Sequence, residues 1–104
     1  MKLIMKMLNK YRESKVNNNA LVINNDPELV NFQFLDAYQL KKVVVDQCEH
    51  VVFEKPSTFV QIFTLTNSKL NNITGIYVMA QIIELNLCNN NIRDISELSD
   101  LKNL

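Results

Sequence analysis

The sequence predicts an α/β repeat. One short strand per repeat builds a parallel sheet, and each strand returns through a 3₁₀, short helical or irregular segment. Three observations carry this prediction. Phe63-Thr64-Leu65, Ser68, Leu70, Ile73, Ile76, Met79 and Ile82 come back 22 residues later as Leu85-Asn86-Leu87, Asn90, Ile92, Ile95, Leu98, Leu101 and Leu104. Self-similarity at a fixed spacing of roughly 20–50 residues marks a chain built from stacked units. Within each copy the apolar period changes from two, as in a strand, to three, as in a tight helical return. Hydrophobic residues make up 47% of the 104 and charged residues 21%, ordinary values for one globular domain.

In chain order, residues 1–16 read as an amphipathic helix, with Leu3, Ile4, Met7, Leu8 and Tyr11 on one face and Lys2, Lys6, Lys10 and Arg12 on the other. Asn17-Asn18-Asn19 supplies its stop, because asparagine tolerates the left-handed conformation that ends helices. Residues 1–20 carry five basic side chains against Glu13 alone, a net +4, which leaves −4 for the rest of a chain whose net charge is zero. Two readings of this segment (residues 1–19) stay open. It caps the core that follows, or it is a basic helix recognised by a membrane surface or a calmodulin-type partner.

Four copies then fill residues 20–104. The first (20–41) holds Leu21-Val22-Ile23, Asp26, Phe34, Ala37 and Leu40, with Glu28 and Asn31 where later copies are apolar. The second (42–61) aligns Val43-Val44-Val45, Cys48, His50, Phe53, Pro56, Phe59 and Ile62 with the third at a spacing of 20. Pro56 and the shorter spacing predict an irregular return there. The third (62–83) and fourth (84–104) are the pair described above. A single copy cannot bury its apolar face, and stacking makes one continuous core.

The run Leu85-x-Leu87-x-x-Asn90-x-Ile92-x-Asp94-Ile95-x-x-Leu98-x-x-Leu101-x-x-Leu104 resembles a leucine-rich repeat. Its length and Asp-Ile-Ser step are similar to the short class found in regulatory subunits of type-1 protein phosphatase and in internalins. The resemblance implies a solenoid with the parallel sheet on a concave face. Asp26, Cys48, Ser68 and Asn90 take the ladder position where the chain turns sharply after each strand. Cys and Ser resemble accepted substitutes for the Asn at that place, and Asp26 departs from the pattern. The amide of Asn90 has the donors and the acceptor to satisfy backbone groups that a buried turn leaves unpaired.

Composition excludes several function classes. Gly75 is the single glycine, which removes the glycine-rich phosphate cradles. Zero net charge argues against a nucleic-acid partner. Cys48 and Cys88 form no C-x-x-C pair, so reduced thiols in a cytoplasmic protein are expected. Lysines interrupt the N-terminal apolar residues, so no signal peptide is expected, nor a membrane partner, since no stretch approaches the ~20 apolar residues that span a bilayer. The sequon Asn72-Ile73-Thr74 then reads as chance. Asparagine runs at 17–19, 24–25, 71–72 and 89–91 fit turns or a compositional bias.

Catalytic chemistry finds no focus. Cys48-Glu49-His50 is the one close Cys/His pair, yet both Cys48 and His50 fall on positions expected to point inward. The carboxylates are scattered, whereas acid–base work needs two at one centre. No enzyme, no metal and no cofactor is expected.

The remaining candidate site is the outward sheet face: Val22, Val44, Thr64 and Asn86 in the middle row, flanked by Lys42, Ile62 and Glu84 on one side and by Asn24, Asp46, Thr66 and Cys88 on the other. Val22, Val44 and Ile62 form a small apolar strip there. It marks a contact site, or its β-branched residues only support neighbouring strands. The expected function is a non-catalytic module that binds a protein partner on this face. The repeats are expected to end without a C-terminal cap, which leaves self-association through that end open.

Overall fold

In the computed structural model, the described residues are 16–17, 19–27, 32, 39–52 and 59–104. Five strands form one sheet in chain order: β1 (Val16–Asn17), β2 (Ala20–Asn24), β3 (Lys42–Asp46), β4 (Ile62–Thr66) and β5 (Glu84–Asn86). The last four run parallel, with Leu21 beside Val43, Val43 beside Phe63 and Phe63 beside Leu85. Thus the spacings of 22, 20 and 22 residues read from the sequence are the strand registers. Period-two alternation sends Leu21, Ile23, Val43, Val45, Phe63 and Leu65 into the core, each at most 2% exposed. A one-residue slip would expose all of them, so the apolar pattern fixes the register.

β1 is a correction at the N-terminal side. Val16, the last residue of the expected helix, pairs antiparallel with Leu21, and Asn17 pairs with Ala20. Asn19 does take the left-handed conformation (φ 62°), but it closes a two-residue hairpin connection, where positive φ suits the twist of the flanking strands. The rest of the expected helix, residues 1–15, lies outside the described residues. So do Glu28, Asn31, Phe34, Ala37, Phe53 and Pro56.

The two later returns are tight. Ile76–Val78 (η1) and Ser96–Asp100 (η2) are 3₁₀ turns. The amides of Ile76, Met79 and Ile82 donate to the carbonyls of Ile73, Ile76 and Met79, and those of Leu98, Leu101 and Leu104 do the same to Ile95, Leu98 and Leu101. A three-residue hydrogen-bond step puts every third side chain on one side, which buries Ile73, Ile76, Met79 and Ile82. Just before η1, Asn72 Oδ1 accepts the amide of Thr74 at 2.6 Å, and Asp94 Oδ1 accepts that of Ser96 at 2.9 Å in the same place before η2. The bond from the Ser96 amide, helped by the Ser96 side chain, holds the exposed Asp94 carboxyl below its usual range.

The second copy departs from the expected spacing at three points. His50 is exposed, and its neighbour Val51 is buried instead. Val60, fully buried, stands before β4 where Leu40 and Ile82 stand before β3 and β5, so Ile62 belongs to the sheet face and not to the core row. Phe59, aligned with the buried Met79, is itself only half-buried. Among the described residues of the first copy the buried aromatic is Phe32, whose ring meets Phe63 edge-to-face at 5.5 Å and 89°. The reason is packing volume: a large ring reaching the β4 core residue fills space that the smaller apolar residues of the later returns fill one by one.

Candidate functional site

The register sets the sheet face residue by residue. Val22, Val44, Thr64 and Asn86 stand beside one another across β2 to β5, pointing away from the core. Val22 is 54% exposed, Val44 and Thr64 are half-buried, and Asn86 is exposed. Lys42, Ile62 and Glu84 align at the strand starts. Asn24 and Asp46 align at the ends of β2 and β3, and Asp46 with Thr66 at the ends of β3 and β4. Cys88 is exposed just beyond β5. Asp46 Oδ1 accepts the Thr66 hydroxyl at 2.9 Å and the Asn67 amide at 2.8 Å, so this flank is a short hydrogen-bonded rim. The apolar part of the face is the Val22–Val44 pair, with Ile62 one row aside next to Lys42.

Each of the four parallel strands leaves the sheet through a residue with positive φ: Asn25 (52°), Gln47 (58°), Asn67 (54°) and Asn89 (59°). Left-handed backbone is costly for most residues, and asparagine bears it best after glycine. This gives named members of the asparagine runs a geometric role, and a chain with one glycine needs such substitutes. The signal was in the sequence, one position before each ladder residue. Each of the first three of these also donates its amide to a carbonyl of the next copy: Asn25 and Gln47 to the strand ends Asp46 and Thr66, and Asn67 to Cys88 just beyond β5.

The turn reverses the chain so that the following residue points inward, and these four residues form the ladder. The Asp26 amide donates to Cys48 Sγ at 3.4 Å, the Cys48 amide to Ser68 Oγ at 3.1 Å, and the Ser68 amide to Asn90 Oδ1 at 3.1 Å. Each inner side chain also donates back to a strand-end carbonyl, Cys48 Sγ to Asp46 and Ser68 Oγ to Thr66. Asn90 does most: Oδ1 also accepts the Leu70 amide, and Nδ2 donates to the Leu65, Leu87 and Cys88 carbonyls. Side chain thus bonds to the backbone of the preceding copy, which ties successive copies without a glycine.

The ladder decides the chemistry available at Cys48. Its thiol is buried and occupied as acceptor and donor, and burial pushes its pKa up. A thiolate nucleophile needs the reverse, a depressed pKa and access. His50, expected inward beside it, faces solvent instead, so the Cys/His pair is split between core and surface. Among the described residues no three of His, Cys, Asp and Glu lie together as a metal ion would require. None of their helices is long and apolar enough to cross a membrane. The basic residues of the N-terminal segment offered as an alternative recognition element, Lys2, Lys6, Lys10, Arg12 and Lys15, lie outside the described residues. No known protein family matches the chain, and no curated protein and no solved structure is significantly similar to it.

Proposed function

We propose that the chain is a non-catalytic protein-interaction module of leucine-rich-repeat type, a curved solenoid that binds a protein partner on its sheet face. The observation that carries this reading is the in-register row Val22, Val44, Thr64 and Asn86. It is an accessible surface with a small apolar strip and a polar rim, held on strands whose positions are fixed from behind by the core and the ladder. Sites on rigid strands keep their geometry on binding, which limits the ordering cost of association. The mixed apolar and amide character suits a protein surface more than a polyanion. On this reading the module works in the cytoplasm, where both cysteines stay reduced.

The test is a triple variant, Val44→Arg, Thr64→Arg and Asn86→Arg, used beside the unaltered chain as bait in an extract. Three long cations fill the face without touching the core. Partners retained by the unaltered chain are expected to be lost, with an unchanged circular dichroism spectrum. Retention of the same partners by a folded triple variant would sink the sheet-face assignment.

A further inference from the structure

Asp46 ends β3, with β2 and β4 on either side of it, and it shares the outward face with Val44 two residues before it. Its carboxylate is used unevenly. Oδ1 accepts the Thr66 hydroxyl at 2.9 Å and the Asn67 side-chain amide at 2.8 Å, both from the β4 side. Oδ2 has no protein donor among the described residues. On the β2 side stands the exposed Asn24, whose side-chain oxygen likewise receives no bond there.

The apolar part of the face adjoins this carboxylate. Val44 lies about 7 Å along the strand from Asp46, and Val22, 54% exposed, stands beside Val44 on β2. A short apolar ledge that leads to a positioned anion fits a side chain with an aliphatic stem and a cationic head. Lysine and arginine both lay such stems along apolar surface. The arginine fork binds a carboxylate best through both oxygens, and Oδ1 is already taken by two donors. A lysine ammonium, compact and with three rotatable donors, needs only Oδ2 and the Asn24 oxygen.

Resting on the sheet-face reading above, we propose that this face recognises a lysine of the protein partner. Its stem lies across Val22 and Val44, and its ammonium meets Asp46 Oδ2 and Asn24 Oδ1. Thr66 and Asn67 are positioning residues, because they hold the carboxylate in place before the partner arrives and so lower the ordering cost. Among the described residues the cation on this face is Lys42, at the opposite end of β3 and about 13 Å away, beyond the screening length of about 8 Å. Lys69, past the rim, is paired with Glu49 at 3.4 Å. The chain beyond residue 20 carries a net −4, complementary to a basic group.

The probe is a phage-displayed library of random linear peptides, panned against the unaltered chain, with the enriched sequence then synthesised and titrated by fluorescence anisotropy. Enriched peptides are expected to share one lysine beside an aliphatic residue. Asp46→Asn, which keeps an oxygen for Thr66 and Asn67, is expected to weaken the peptide about 10-fold with native circular dichroism. Replacing the peptide's lysine by glutamine is expected to do the same, and the two changes together to add little, as for groups in contact. Val22→Ser, away from those hydrogen bonds, is expected to give a smaller loss. Enriched peptides without a lysine, arginine in its place, no enrichment at all, or an affinity unmoved by Asp46→Asn and Val22→Ser would overturn the proposal. A peptide unmoved by those two variants but lost in Val44→Arg, Thr64→Arg, Asn86→Arg overturns the lysine site alone. A peptide indifferent to that triple variant as well overturns the sheet-face reading with it.

Discussion

The later part of the repeat region, residues 62–104, and the earlier part, residues 20–61, share one strand geometry but not one way of returning. In the later part the backbone bonds of η1 recur in η2, and Asn72 and Asp94 make the same turn before them. The ladder there uses oxygen acceptors at 3.1 Å. In the earlier part the acceptor for Asp26 is a thiol at 3.4 Å, Val51 takes the place expected of His50, and Phe32 reaches across to Phe63. Yet the strands align without a break. The strand, the left-handed residue and the ladder side chain together fix the register, and the return has only to supply apolar volume.

The largest test of that division falls at Phe63, where the two parts meet. Phe63→Ala removes a fully buried ring and its contact with Phe32, and is expected to cost about 3–5 kcal/mol in chemical denaturation. A loss below about 1 kcal/mol would mean that the two parts are not joined through this ring.

A middle-sized effect is expected from unequal ladder positions. Asn90→Ala removes the acceptor of two amides and the donor to three carbonyls, of which that of Cys88 keeps the Asn67 amide, and is expected to cost about 2 kcal/mol. Cys48→Ser keeps a donor and an acceptor in the earlier part and is expected to stay within about 1 kcal/mol of the parent. Equal losses at both sites would show that the ladder contributes by packing and not by hydrogen bonding.

The smallest effect is a pH dependence confined to the earlier part. Burial raises the Cys48 pKa above that of an unfolded thiol, so folding favours the protonated form. Its contribution is therefore fully present below the ordinary thiol value of about 8.5 and is lost as pH rises from there through the raised value. Denaturation midpoints measured from neutral to alkaline pH should fall less steeply in Cys48→Ser. Parallel curves for parent and variant would assign the alkaline loss to other groups.

The registers were legible in the sequence because side-chain alternation and ladder spacing are local properties repeated along the chain. The residues of the candidate face followed directly, since any position between two buried strand residues must face outward. Three things were not legible. Val16 and Asn17 carry no strand signal of their own, and their conformation depends on the β2 edge they pair with. Val51 and Val60 are adjacent to the residues that strict spacing selected, and only the packing of a shorter copy distinguishes the neighbours. Phe32 is placed by its meeting with Phe63, 31 positions away in the sequence.

By itself, then, the sequence determined which residues form parallel strands, at what offset they align, and which of their side chains point in or out. The physical reason is that period, turn chemistry and burial all depend on residues within one repeat. Tertiary structure alone decided how the irregular earlier copies fill their volume and how the N-terminal edge is closed by a hairpin. Each of these depends on what stands in the neighbouring layer, which no single repeat encodes.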